Sequence, residues 1–400
     1  MKQQEWADMH SSDLGYIVHI THDDKFIDMA LREFEAVAPG IHKPVIFGKQ
    51  RSLRYVKSKS VCFHTLTSAK TLINLPDCKA VVFHAMPDLT LLAHISIGKQ
   101  VIWLGWGYDY YDRLLSGVFP EGLYQARTRQ LMHQRPAPNP IRWAARKVKT
   151  VLKLILRRAE RQDVKLLTRV DIFSPVIDVE HKMACELNAW FKPHYVTWNY
   201  GTLEDDMLAE GQSCGVPLGP HILVGNSASF ENNHLEIFEY LAHNFDLTGV
   251  KIYVPLSYGD DWYKDQIIAA GRAKFGDQFV PLTDFMAKDA YINLLQSCGH
   301  VFMNHLRQQA LGNICIMMLK GAKLYMNPAS PLYRWLLDKG AVVQAIAEPI
   351  GLNHPTPKQT LIPLTQSEQD QNYSMIQAHW GRDQQRHKTR QLINLAMSTV

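Results

Sequence analysis

A chain of 400 residues exceeds what one hydrophobic core usually serves, so two domains are the expectation. With 46% hydrophobic and 20% charged residues and no low-complexity tract, the composition excludes a disordered or fibrous protein. The net charge of +5 is uneven: residues 127–169 hold 13 Lys/Arg against Glu160 and Asp163, a net of +11 that leaves the remainder at −6.

From the amino end, YIVHI (16–20) reads as a strand. DMALREFEAVA (28–38) follows as a helix with apolar positions at Met29, Leu31, Phe34 and Val37. PVIFG, KAVVFHA (79–85) and QVIWLGWG (100–107) are further strands, with a helix expected over DLTLLAHI. Runs that are apolar on both faces and separated by helices point to a parallel sheet covered on each side. VFHAMP sets His84 at one strand end, and WLGWGYDYYD sets Trp106, Asp109 and Tyr111 after the next. Aromatic faces beside a carboxylate suit a sugar, and His or Asp can act as a general base. A core histidine and a capping aspartate are the plainer reading of the same residues.

In IRWAARKVKTVLKLILRRA, Ile141, Ala145, Val148, Val151, Leu152, Ile155 and Ala159 recur at helical spacing. Arg142, Arg146, Lys149, Lys153 and Arg157 interleave with them. Such a helix can lie on an anionic membrane surface, or pack on its own domain with a solvated face. No recognisable nucleic-acid motif accompanies it, and no nucleic-acid partner is expected.

Residues 197–220 read as a connection, after which the grammar repeats. HILVG (221–225), KIYVPL (251–256), QFVPL (278–282), HVFMN (300–304) and KLYMN (323–327) are strands, with helices such as LEIFEYLAHNF and DAYINLLQSC between them. After HILVG come the small polar residues Asn226, Ser227 and Ser229, which can cradle a phosphate at a helix start; the alternative is that Ser229 or Asn232 merely caps that helix and nothing binds. After HVFMN the loop HLRQQALGN gathers Arg307, Gln308, Gln309, Gly312 and Asn313 at a strand's carboxyl end, where open α/β sheets bind ligands. An arginine at a helix N-terminus suits a diphosphate, and glutamines can bond a base or sugar; a solvated loop is the alternative.

The exclusions are equally direct. No G-x-G-x-x-G follows the first strand, and no Walker, H-E-x-x-H or G-x-S-x-G sequence occurs. No D-x-D ends a strand, so neither a metal nor another cofactor is expected. Six cysteines stand singly, without C-x-x-C, which indicates reduced thiols in the cytosol and argues against a disulfide framework or zinc site. No apolar run approaches the roughly 18–20 residues of a spanning helix, and MKQQEWADMH lacks the apolar region of a secretory signal.

The stretches ILVGNS with Asn232 and His234, VP with Tyr258, DAYINLLQSC, and RQQALGNICIMMLKGAKLYMN with Pro331 resemble the bacterial 4-acetamido-4,6-dideoxygalactose (TDP-Fuc4NAc:lipid II) transferases of enterobacterial common antigen synthesis. The resemblance spans roughly residues 80–112 and 220–335, with an echo around NYSMIQAHWGR. It implies an α/β chain of GT-B type, two Rossmann-like domains facing across a cleft. The expected divisions are 1–198 for the acceptor, with the basic segment 127–169, then 215–365 for the nucleotide sugar and 366–400 as a helical tail. It implies a metal-independent hexosyltransferase, peripheral on the cytoplasmic face of the inner membrane. Sugar would pass from a TDP- or UDP-linked donor to a polyprenyl-diphosphate-linked acceptor. Gly225, Asn226, Ser227, His234, Tyr258, Arg307, Gln308, Gln309, Gly312 and Asn313 would line the donor site. Trp106 and Tyr111 would meet the acceptor, with Asp109 or His84 assisting its hydroxyl. The basic insertion and Asn313, where a smaller hydroxyl residue is expected, depart from the family and leave sugar and nucleotide open. A nucleotide-sugar epimerase and a non-catalytic membrane- or polyanion-binding protein are the alternatives.

Overall fold

The alternation of apolar runs and helices is realised as two parallel sheets. A computed structural model describes residues 15–86, 88–136, 163–208, 218–284, 286, 288–346 and 357–398. These fall into two compact units, one drawn from Met1–Val118, Pro138–Asp206 and His379–Val400, the other from Phe119–Ala137 and Met207–Ala378. The divisions read from the sequence, at 198, 215 and 366, cut the chain differently, because both units are assembled from separated segments.

The first unit holds seven parallel strands: β1 (Tyr16–Thr21), β2 (His42–Phe47), β3 (Cys62–His64), β4 (Cys78–His84), β5 (Gln100–Leu104), β6 (Ile172–Ser174) and β7 (His194–Tyr195). Their spatial order is β3-β2-β1-β4-β5-β6-β7. Every residue of β1 is buried, which is why it reads as an unbroken apolar run. The direction of winding reverses between β1 and β4, and at such a point the loops leaving the strands diverge and open a crevice. The helix Ile27–Val37 sends Ala30 and Phe34 into a core with Ile17, Ala80, Val82 and Ile102. The helix Arg382–Met397 adds Leu392, Ile393 and Ala396 to that same core. Burying each large aliphatic side chain stabilises by about 1.5–3 kcal/mol, so the carboxyl-terminal helix is an integral part of this unit. Its exposed Arg382–Asp205 pair, 2.7 Å, adds little.

The second unit repeats the plan with β8 (Ile222–Val224), β9 (Ile252–Pro255), β10 (Phe279–Leu282), β11 (His300–Met303), β12 (Lys323–Met326) and β13 (Val343–Ala345), all parallel. The order is β10-β9-β8-β11-β12-β13, with the reversal between β8 and β11. The helix Ala126–His133 belongs here although it precedes β6 in the chain. Leu131 enters the core beside Ile237, Phe238 and Leu241. Thr128 donates its backbone N–H and its hydroxyl to the two oxygens of Glu236, at 2.9 and 2.7 Å.

Some elements depart from expectation. DLTLLAHI forms only a 3-10 turn, Thr90–His94. Strands β3, β6, β7 and β13 went unread, being two or three residues long and too short for any period to register. The membrane candidates Arg142, Arg146, Lys149, Lys153 and Arg157 lie outside the described residues.

Candidate functional site

In the second unit the chain leaves β8 through Gly225, whose φ is +66°. A Cβ there would lie 2.6 Å from Asn232 Oδ1 and 2.8 Å from His234 Nε2, so both conformation and space demand glycine. Its N–H donates to Phe302 O of the neighbouring β11 at 3.0 Å, which ties the two strand ends of the reversal together.

A network of neutral polar groups fills the crevice. Asn232 Oδ1 accepts from Asn226 N (2.9 Å), and Asn232 Nδ2 donates to Ser227 O and Oγ at 3.1 and 3.2 Å. Asn226 Nδ2 donates to the Tyr258 hydroxyl (3.1 Å), while Asn226 Oδ1 accepts from Gln309 Nε2 (3.0 Å). His305 Nε2 faces two amide oxygens, Asn232 Oδ1 at 2.9 Å and Asn226 Oδ1 at 3.2 Å. Only a protonated Nε2 satisfies that pair, which leaves the lone pair of its buried Nδ1 without a hydrogen bond. Burial pushes His305 down to about 3, with Arg307 and His234 adding to the effect. Burial also holds His234 at about 3; its Nδ1 meets Tyr263 OH at 3.1 Å and its Nε2 has no partner. Both imidazoles are therefore neutral near pH 7.

The helix Leu311–Leu319 begins beside this wall. Its N-cap, Ala310, is left-handed at φ +59° and supplies no side-chain cap. A Cβ on Gly312 would meet nothing within 4 Å, so the first turn opens onto free space. Asn313 sits half-buried on that turn. Uncapped N–H groups with the positive end of the helix dipole make an anion seat. Arg307 supplies the formal charge, but Glu231 already meets it: Nε and one terminal nitrogen lie 2.8 and 2.6 Å from Glu231 Oε2. Its other terminal nitrogen donates to Gln308 O at 2.9 Å. The fold thus brings Gly225, Asn226, Ser227, His234, Tyr258, Arg307, Gln308 and Gln309 together, with Gly312 and Asn313 at the adjoining helix start. Sequence reasoning missed Glu231 and His305 and gave Asn232 only a cap or a family match. The available signal was a histidine two residues past a buried strand, His305 after β11.

In the first unit the predicted acid–base residues are placed otherwise than expected. Asp109 is 4% exposed, and both its oxygens are engaged. Oδ2 accepts from Met86 N (2.9 Å) and Trp103 Nε1 (2.7 Å), and Oδ1 accepts from Trp106 N (2.9 Å). Burial raises its pKa against the pull of these donors. The carboxylate is a hub that holds two strand-end loops. His84 is fully buried with both ring nitrogens bonded. Tyr111 points into the fold, donating to Glu180 Oε1 at 2.5 Å, so it offers no acceptor contact. Trp106 alone of the four is partly exposed at a strand's carboxyl end. Asp109→Ala should destabilise the protein by roughly 3–5 kcal/mol, since three donors lose their acceptor and each buried orphan costs about 1–3 kcal/mol. Urea unfolding checks this; an unchanged midpoint with lost activity would restore a catalytic role.

Residues 209–351 match the family described as 4-alpha-L-fucosyltransferase glycosyl transferase group 56. The chain is a glycosyltransferase. Solved structures similar to it share its two-sheet plan, which is the GT-B fold. HepE of Anabaena, in complex with UDP and glucose, aligns with TM-score 0.58 at 11% identity, covering 96% of this chain and 100% of that one. The lipopolysaccharide outer core galactosyltransferase WaaB aligns at 0.55 and 9% identity, covering 96% and 99%. A UDP-forming α,α-trehalose-phosphate synthase from Burkholderia xenovorans aligns at 0.54 and 9%, covering 96% and 98%. At such identities the likeness speaks for the fold alone.

Proposed function

We propose that this glycosyltransferase moves a deoxyamino sugar, of the Fuc4NAc type, from a nucleotide-diphosphate donor to a polyprenyl-diphosphate-linked glycan. The observation that carries the donor half is the strand-end crevice at β8 and β11. There an uncapped helix start, Arg307 and a wall of neutral amides and imidazoles converge within one unit. Dipole and guanidinium stabilise the diphosphate as it leaves. Asn226, Gln309 and Tyr258 offer the directional bonds that a nucleoside or sugar needs. No metal is required when these groups meet the charge.

The acceptor belongs to the first unit in this reading. The basic run 127–169 seats the enzyme on the anionic cytoplasmic face of the inner membrane. Among the described residues no helix is long and apolar enough to cross a membrane, and peripheral attachment agrees with that. HepE in complex with UDP supports a nucleotide-sugar donor by analogy of fold.

A thermal-shift panel of UDP, TDP and their sugars, followed by transfer with the best binder, tests the reading. At 100 times its dissociation constant a true donor stabilises by about 2.7 kcal/mol. Activity should survive EDTA. No shift with any nucleotide would overturn the donor assignment, and a strict Mg²⁺ requirement would overturn the metal-free mechanism.

A further inference from the structure

Three buried histidines from three adjacent strands line up inside the first unit: His42 on β2, His19 on β1 and His84 on β4. His19 Nε2 lies 3.0 Å from His42 Nδ1, and His19 Nδ1 lies 3.0 Å from His84 Nε2. One end of the chain is the backbone carbonyl of Phe34, 3.1 Å from His42 Nε2; the other is the Tyr200 hydroxyl, 2.9 Å from His84 Nδ1.

The carbonyl decides the direction of every bond. It can only accept, so His42 carries its proton on Nε2 and its Nδ1 accepts from His19 Nε2–H. His19 Nδ1 then accepts from His84 Nε2–H, and His84 Nδ1 accepts from Tyr200 O–H. Reversing the chain would turn the His42 Nε2 lone pair on the carbonyl, which already accepts from Ala38 N, and leave that buried ring nitrogen unsatisfied, at about 1–3 kcal/mol. The chain does not conduct protons at neutral pH. Burial holds His42 down to about 4, His84 to about 3 and His19 well below its ordinary value. Burial also raises the Tyr200 phenol far above its usual range. Neither cation nor phenolate is populated, so the chain acts as a polarity lock.

We propose that this lock turns the Tyr200 proton inward, so that the Tyr200 oxygen and the Trp106 indole N–H together form a slot for one hydroxyl group of the acceptor sugar. The Tyr200 and Trp106 rings meet edge to face at 5.4 Å. Trp106 Nε1 is buried and closes no hydrogen bond of normal geometry, although it lies near enough to act on the Tyr200 phenol. A donor and a lone pair side by side suit an alcohol, which offers both partners. A carboxylate or phosphate brings no proton, and an ammonium brings no lone pair. Around the slot, His22 meets Trp106 at 4.8 Å with the rings tilted by 50°, Phe26 meets Trp106 at 5.3 Å, and Tyr108 is half-exposed 6.4 Å from Trp106. Such ring faces match the C–H faces of a pyranose. The proposal rests on the reading that the first unit takes the acceptor.

Two measurements test it on the full chain. Long-range ¹H–¹⁵N spectra of histidine-labelled protein at pH 7 should show His42, His19 and His84 all as Nε2–H tautomers; a single Nδ1–H form among them overturns the lock. Methyl hexopyranosides and their monodeoxy analogues are then titrated into ¹⁵N-tryptophan-labelled protein, the Trp106 indole signal being assigned through Trp106→Phe. Removing the matched hydroxyl should weaken binding about fivefold to tenfold in the wild type and clearly less in Tyr200→Phe, where the Trp106 indole alone still bonds it. The three tautomers should persist in that variant, because they are set from the Phe34 end. Discrimination retained in full by Tyr200→Phe, or an indole signal that no glycoside moves, overturns the slot. Neither readout uses a nucleotide sugar, so failure of the donor assignment is scored separately.

Discussion

Lowering the pH from 6.5 to 5 is expected to remove most of the protein's stability, in both units. Six histidines are buried neutral: His19, His42 and His84 in the first unit, His234, His300 and His305 in the second. Burial is the leading cause of each lowered pKa, and Lys323 adds to it at His300. The unfolded chain takes up these protons below about pH 6.5, whereas the folded chain resists until near pH 4 or lower. A depressed folded pKa on a base therefore gives stability that is whole above 6.5 and drains as pH falls. At pH 5 each site costs about 2 kcal/mol, so each unit loses about 6 kcal/mol against a typical total of about 5–15. Asp109 and Asp171, their carboxyls raised by burial, work in the opposite direction but are two groups against six. Urea midpoints by circular dichroism at pH 7, 6, 5.5 and 5 should fall steeply, and a flat series would show that these imidazoles are hydrated or already charged.

What the chain discloses about itself follows from how far each interaction reaches. Strands such as YIVHI and HVFM are buried on both faces, and local hydrophobicity suffices to find them. The membership of the carboxyl-terminal helix in the first unit was hidden, because Leu392 and Ile393 find their partners, Ile17 and Phe34, only through the fold. The polar knots after β8 and β11 were legible as strand-end loops, and the reversal of strand order at that point makes one crevice of them. Glu231 was invisible for want of any local pattern linking it to Arg307. His84 and Asp109 were found near the right strand ends, but their burial was not foreseen. Sequence position does not report that one is enclosed by imidazoles and the other by three donors. The histidine chain needs strand order as well: residues 42, 19 and 84 become neighbours only because β2, β1 and β4 do.

Arg307→Ala should lower transfer at least about 100-fold, the scale seen when one preorganised stabiliser of a developing charge is removed. Its partner makes the prediction sharper. In the ligand-free chain Arg307 is held by Glu231, the two side chains only 12% and 21% exposed, so a diphosphate has to displace the carboxylate before it meets the guanidinium. That exchange costs part of the binding energy. Glu231→Gln removes the competing charge while keeping a hydrogen-bond acceptor near Arg307, and it should tighten UDP or TDP by about tenfold, or about 1.4 kcal/mol. The double variant should bind no better than Arg307→Ala alone, since relief at position 231 acts only through the arginine. Calorimetry on the four proteins separates this from the opposite case. If Glu231→Gln weakens binding as much as Arg307→Ala does, the carboxylate is itself a ligand contact or the strut that aims the guanidinium. The pair would then be a preorganised clamp, and the helix start at Leu311–Asn313 would have to meet the diphosphate charge with its N–H groups alone.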